Sequence, residues 1–299
     1  MLSQPTVTRA EARLGGATLS YLAAGDPAQP WVVLLHGIPA SAELWRSLLP
    51  RLAASGHYAV APDLPGYGHT RVPTCAGLGL VGAARLLAQW LARASPGPFT
   101  LVGHDLGGAV AQVYLTQCKP QPQSVVLINC PVAASWPVPA VAKLMAAAHK
   151  GLYAPLAALG AFKAQRLRVG LHRAFVNPER LTPDAFGRVF YDGKFHRWGA
   201  ARRFQAMLRQ LTPADTLQAW EALPTVTTPV HLVWGMADTY QPWATTGARL
   251  QAHLPNVQPV HPLPDCGHFV PLDAPEALAQ VLGAILATHP THAARGLPA

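Results

Sequence analysis

Short apolar runs alternate along the chain with longer segments in which apolar positions recur every three or four residues. The runs Trp31–Leu35, Tyr58–Ala61, Phe99–Val102, Val125–Ile128, Val230–Trp234 and Val257–Val260 have strand length and little polar alternation. That pattern predicts strands buried on both faces of a mainly parallel sheet. Ahead of them, Val7–Leu14 and Thr18–Ala23 alternate around Gly15-Gly16, which predicts a β-hairpin. Helical periodicity covers Ser41–Ser55, Val81–Ala94, Leu106–Cys118, Trp243–His253 and Pro275–Ala287. The last of these follows Asp273-Ala274-Pro275-Glu276, which predicts Asp273 as an N-cap. Helices placed between buried strands predict an α/β class protein with a mostly parallel, doubly wound sheet.

The rhythm breaks after Asn129. From Pro131 to about Leu211 no buried strand is predicted, and the pattern is helical and punctuated by proline. Strands resume at Pro229. The expected organisation is a core domain of residues 1–130 and 212–299, with a helical cap of residues 131–211 inserted between its halves. Residues after His289 lack periodicity and read as a frayed tail.

Composition supports a globular chain: of 299 residues, 50% are hydrophobic and only 12% charged. No apolar run approaches the ~20 residues of a membrane helix. The first residues show no basic-then-apolar secretory pattern, so a cytoplasmic location is expected. Cys75, Cys118, Cys130 and Cys266 are widely spaced, which predicts reduced thiols and neither a zinc site nor another metal site. The formal charge of +9 is concentrated: Pro131–Pro213 holds thirteen Lys and Arg against three acids, Glu179, Asp184 and Asp192. Such a segment can steer anionic substrates or touch an acidic surface, and a solvated lid is the plainer alternative. No interleaved aromatics or motif point to nucleic acid.

Chemistry concentrates at strand ends. Val102-Gly103-His104-Asp105-Leu106-Gly107-Gly108 follows one predicted strand and opens a helix. This is a strand–turn–helix elbow with aspartate where serine is commoner, and its small neighbours permit the sharp turn. A helix start also suits an anionic side chain, so Asp105 taken alone could equally be a cap. Two further residues tip that balance. Asp238 follows the strand ending at Trp234, and His268 follows the run Val257–Val260, within Asp265-Cys266-Gly267-His268-Phe269. Ligands of open parallel sheets bind at the strands' carboxyl ends, and the order nucleophile, acid, histidine is that of α/β-hydrolases. After the first core strand, Leu35-His36-Gly37-Ile38-Pro39 stands where that fold supplies an oxyanion-hole donor. The expected donors are the backbone N–H groups of Ile38 and Leu106.

Together with Ala61-Pro62-Asp63-Leu64-Pro65-Gly66-Tyr67-Gly68, these motifs resemble the epoxide hydrolase and haloalkane dehalogenase branch of the α/β-hydrolases. The resemblance covers the sheet domain and implies an α/β-hydrolase fold. It implies an enzyme in which Asp105 attacks an sp³ carbon to form an alkyl ester, and His268, oriented by Asp238, activates the water that hydrolyses it. It implies no cofactor, and a small-molecule substrate that is apolar or anionic. Asp105 argues against an esterase, because a carboxylate attacking an ester would give an anhydride. His36, His104 and Asp63 belong to the shared motifs and read as supporting residues.

The leaving group is less legible. Haloalkane dehalogenases usually carry Trp after the nucleophile and often Asn in the HGxP turn, where this chain has Leu106 and Ile38. Fluoroacetate dehalogenases place arginines just after the nucleophile; here Leu106 and Ala109 occupy that stretch. Epoxide hydrolases use two cap tyrosines. Tyr153 matches the first in spacing, while Phe204 stands in place of the second, with Tyr191 the nearest alternative. Trp136, Phe162, Phe190 and Trp198 are expected to wall an apolar pocket. Three readings stay open: an epoxide hydrolase, a haloalkane or haloacid dehalogenase, and a non-catalytic ligand-binding protein on the same scaffold. Nothing in the pattern sets an oligomeric state.

Overall fold

The structure, a computed structural model, describes residues 5–73, 77–94, 96–192 and 197–288. Cys75, the stretch 193–196 and the tail from His289 onward lie outside the described residues. The chain folds into a sheet of β1 (Thr8–Leu14), β2 (Ala17–Ala24), β3 (Trp31–Leu35), β4 (Tyr58–Pro62), β5 (Phe99–His104), β6 (Ser124–Ile128), β7 (Val230–Gly235) and β8 (His261–Leu263). Their spatial order is β1-β2-β4-β3-β5-β6-β7-β8. The first hairpin and the β2–β4 pair are antiparallel, and every later pair is parallel.

Helices cover both faces. α1 (Leu49–Ala54), α2 (Gly79–Ala94) and α3 (Leu106–Gln117) alternate with the first core strands, and α10 (Ala248–His253), α11 (Val270–Asp273) and α12 (Pro275–Ala287) accompany the last ones. Strand β3 shows why its sequence is apolar throughout. Trp31, Val33 and Leu35 face a core shared with Leu87 of α2 and Val110 of α3, while Val32 and Leu34 face the opposite core with Leu52 of α1 and Leu282 of α12. With period-two alternation and helices on each side, neither face can be polar. Between β6 and β7 every described element is helical: α4 (Pro139–His149), α5 (Tyr153–Ala158), α6 (Ala164–Leu171), α7 (Pro183–Phe186), α8 (Trp198–Gln210) and α9 (Pro213–Ala222), with short 3-10 and π turns.

Three expectations need correction. The last strand is His261–Leu263, whereas Val257 makes only an isolated bridge to Val230. Regular pairing with β7 runs over His261–Leu263, opposite Val233, Trp234 and Gly235. The helix expected over Ser41–Ser55 is a 3-10 turn at Ala42–Trp45 followed by α1, because Pro50 can stand only in a helix's first turn. Asp273 is not the N-cap of α12, a position held by Ala274. Its carboxylate instead accepts from the backbone N–H groups of Gly267, Val176 and Asn177 at 2.7–2.9 Å, satisfying donors from two distant segments.

Strand β3 lies between β4 and β5, so the chain leaves it to one side and later returns on the other. The strand order reverses there, and a crevice opens at the carboxyl ends of β3 and β5. Asp63, just past β4, braces this region. Its carboxylate is fully buried and accepts from Arg9 Nη1 at 2.8 Å and from the N–H groups of Ala42 and His69 at 2.9 Å each. Replacing it strands these donors, so Asp63→Ala is expected to lower unfolding free energy by about 3 kcal/mol in urea denaturation.

Candidate active site

Asp105 occupies the turn between β5 and α3 with φ 51° and ψ −127°, a backbone conformation an L-residue rarely adopts. The turn closes only because its neighbours are glycines. A Cβ on Gly103 would meet the Gly107 carbonyl oxygen at 2.6 Å, one on Gly107 would strike the Leu35 carbonyl, and one on Gly37 would strike the Asp105 carboxylate. With those contacts permitted, Ile38 N–H donates to Asp105 Oδ2 at 2.7 Å. His36 secures the donor strand end: its Nε2 accepts from Leu64 N–H at 3.0 Å, leaving the Nδ1 proton for the Gly37 carbonyl, also at 3.0 Å.

Asp238 and His268 meet Asp105 from the far side. His268 Nδ1 donates to Asp238 Oδ2 at 2.8 Å, and its Nε2 lies 3.8 Å from Asp105 Oδ1. All three side chains are buried. Asp238 is fully engaged: Oδ1 accepts from the N–H groups of Tyr240 and Gln241, and Oδ2 accepts from Asn129 Nδ2 at 2.7 Å as well as from His268. Burial alone would raise this carboxyl, but His268 and the hydrogen bonds outweigh it and hold it at about 2. Burial would lower His268, yet the carboxylates of Asp238 and Asp105 raise it above the usual imidazole value. Asp105 differs from Asp238. Burial dominates and pushes it up to about 6, against the opposing pull of His268 and the N–H groups of Leu106 and Ile38. His104 is pushed down to about 3 by burial and the nearby His268, so it is neutral, with Nε2 on the His268 carbonyl at 2.8 Å.

A cavity of about 290 Å³ stands over Asp105. Ile38, Leu106, Asp105 and His268 contribute to its wall, as do Trp136, Phe162, Phe186, Phe190 and Phe269. The remaining polar wall is Tyr240, Gln241, Arg166 and Arg173. Trp198, expected in the pocket, is half exposed and stands outside it. Neither Tyr153 nor Tyr191 walls the cavity. Tyr153 is fully buried, stacked 5.1 Å from Phe162 and packed 5.5 Å from Phe204, so its ring serves the core. Tyr191 donates its hydroxyl to the Phe162 carbonyl at 3.1 Å. The tyrosine that does reach the cavity is Tyr240, whose ring lies 5.2 Å from His268 and whose hydroxyl accepts from Arg173 Nε at 2.8 Å.

Sequence reasoning missed Tyr240 and Asn129. Asn129 stands at the end of β6 in a left-handed conformation with φ 41°, which asparagine tolerates, and its Oδ1 also accepts from Gly235 N–H at 2.8 Å. A lone polar residue closing a buried apolar strand was its only signal. No cluster suited to a metal ion occurs among the described residues, and no described helix is long and apolar enough to cross a membrane. Cys118, Cys130 and Cys266 are free thiols.

The reversed strand order, the strained turn at Asp105 and the acid and imidazole at later strand ends define the α/β-hydrolase fold. The chain belongs to the alpha/beta hydrolase family, whose profile matches residues 32–281. It is 29% identical to the magnesium-chelatase 30 kDa subunit of Rhodobacter capsulatus over 238 residues, covering 78% of this chain and 79% of that one. With epoxide hydrolase A of Mycobacterium tuberculosis it shares 37% identity over 109 residues, 32% of this chain and 30% of the relative. The crystal structure of haloalkane dehalogenase DbeA from Bradyrhizobium elkani superposes with a TM-score of 0.77 at 22% identity, covering 95% of this chain and 98% of that one. The protein is therefore a hydrolase-fold enzyme with epoxide hydrolase and dehalogenase relatives.

A buried carboxyl held near 6 makes the folded state resist ionisation. Relative to an ordinary aspartate near 3.9, stability is lost between about pH 4 and 6 as Asp105 ionises. Asp105→Asn removes that cost. The variant is expected to be more stable than the parent by about 2 kcal/mol at pH 8 and by much less at pH 4, measured by denaturant titration at each pH.

Proposed function

We propose that the protein is an epoxide hydrolase-like enzyme acting through Asp105, with residues 131–211 as a cap over a core of 1–130 and 212–299. The observation that carries this reading is the division of labour on one carboxylate: Oδ2 is held by Ile38 N–H while Oδ1 faces His268. Oδ1 attacks an epoxide carbon in line with its C–O bond, so an ester bond forms and the ring bond breaks. No base is needed, because the attacking group is already an anion. The leaving oxygen requires a proton, and Tyr240 supplies it. Arg173 Nε donates to the phenol oxygen, which leaves the Tyr240 O–H as the proton to give. Gln241 stands beside it, with Oε1 occupied by Ser135 Oγ at 3.0 Å, so its amide N–H groups supplement the donor.

In the second step His268 takes a proton from water, which attacks the ester carbonyl of Asp105. Asp238 holds the imidazole in the tautomer with its proton on Nδ1 and stabilises the imidazolium that forms. The ester's carbonyl oxygen occupies the place of Oδ2, where Ile38 and Leu106 N–H groups meet the developing charge. Collapse of the tetrahedral intermediate expels the alkoxide, which takes the proton held by His268 and leaves as the diol; the proton of the acid formed on Asp105 returns to the Tyr240 phenolate, so carboxylate and phenol are both restored. A dehalogenase reading is favoured by one observation: Arg166 and Arg173 on the cavity wall suit the carboxylate of a haloacid.

His268→Gln is expected to stop at the ester. Intact-mass analysis after exposure to an epoxide panel and a haloacid panel should show one added alkyl group on Asp105, and the panel that labels identifies the substrate class. No adduct and no turnover on either panel would refute the proposal. In that variant background, Tyr240→Phe should slow labelling by an epoxide about 100-fold, with little effect on an alkyl bromide, whose leaving group needs no proton. For the parent enzyme, single-turnover labelling should fall as pH drops below about 6, because protonated Asp105 is not a nucleophile.

A further inference from the structure

Between Asp105 and Glu179 the chain contains no acidic residue, while Lys143, Lys150, Lys163, Arg166, Arg168 and Arg173 crowd its second half. The same stretch exposes apolar side chains that a water-facing helix would not. Leu152, Leu156 and Leu159 recur at the four- and three-residue spacing of one helical face, and they are 50%, 40% and 84% exposed. The opposite face of α5, with Tyr153, Ala154 and Ala157, is already buried in the protein core. The outward leucines therefore have no intramolecular task. Val169 of α6 is 55% exposed beside exposed Arg166. Of the eight large hydrophobic side chains exposed among the described residues, six fall between Leu152 and Trp198. Apolar exposure and positive charge thus coincide on one segment.

We propose that the outer face of α5 and α6 is a docking surface for a lipid bilayer rich in anionic headgroups. Leucines on the exposed side of a short helix insert to the depth of the headgroup–acyl boundary, and the flanking lysines and arginines meet the phosphates. Charge selects the occupant. A second copy of this chain would bring the same uncompensated cations against themselves, whereas an anionic bilayer neutralises them. Position adds a functional reason: Phe162, Arg166, Gly170 and Arg173 of this same region also wall the cavity over Asp105. An apolar substrate dissolved in the bilayer would then reach the cavity without crossing water. This surface is independent of which bond the active site breaks.

The test is co-sedimentation of the full chain with vesicles, without any substrate. Vesicles of phosphatidylcholine plus phosphatidylglycerol are expected to bind at least roughly ten-fold more strongly than phosphatidylcholine alone, and added salt should weaken the binding. The double substitution Leu156→Glu with Leu159→Glu should reduce it by about ten-fold or more, and Lys150→Glu with Lys163→Glu should abolish the preference for the anionic lipid. Leu217→Glu, at an exposed leucine of α9, should change nothing. All these positions are exposed, and circular dichroism with thermal melting checks that each variant folds. Absent binding, or equal binding to both vesicle types, overturns the proposal. So does a concentration-dependent dimer that the leucine variant dissolves, which would give the face to a second copy.

Discussion

The site rests on a close approach between two strand ends that no side chain larger than glycine would allow. Asp105 is held at positive φ by β5 behind it and α3 ahead of it, and the 2.7 Å bond from Ile38 N–H ties the turn to the end of β3. Gly37, Gly103 and Gly107 each face a neighbour where a Cβ would overlap. The sheet topology makes this approach possible, because β3 and β5 are adjacent parallel strands at the point where the strand order reverses. Strain at one residue is thereby supported by a whole sheet, so the carboxylate has one orientation in the crevice.

Two carboxylates flank one imidazole, and their surroundings set them apart. Asp238 has four hydrogen-bond donors from Asn129, His268 and the backbone of the turn after β7, and it remains ionised far below neutrality. Asp105 has fewer donors and an apolar roof, and it is pushed up. The difference is one of solvation supplied by the protein: a carboxylate saturated with donors stays ionised, while one left partly unsatisfied in an apolar setting is pushed toward its protonated form. His268 lies between them, bonded to one and merely close to the other.

The helical segment between β6 and β7 contributes in two directions. Inward, it supplies most of the aromatic wall, and Arg173 donates to the hydroxyl of Tyr240, another residue of that wall. Outward, it carries exposed leucines among lysines and arginines. Asp273 couples it to the site, since the carboxylate that receives Val176 and Asn177 N–H groups also receives Gly267 N–H, next to His268.

Much of the molecule was legible along the chain because its causes are local. Buried strands announce themselves as apolar runs, helices as a three-to-four residue period, and the elbow as glycines around Asp105, so seven of the eight strands lie within a residue or two of their expected places. The order of Asp105, Asp238 and His268 could be read because each follows a strand end, and the sheet gathers strand ends. Other features depend on which distant segments meet. Whether Tyr153 or Tyr240 faces the cavity is decided by how α5 packs against α8 and how the turn after β7 wraps His268, and no periodicity records that. Asn129 and Asp273 likewise acquired their roles from buried N–H and carboxylate groups far away in sequence that required partners. The sequence by itself determined the fold and the order of Asp105, Asp238 and His268 at its strand ends, since both follow from neighbours along the chain. Only the tertiary structure decided which side chains surround them, because hydrogen-bond satisfaction and cavity shape are properties of groups brought together by folding.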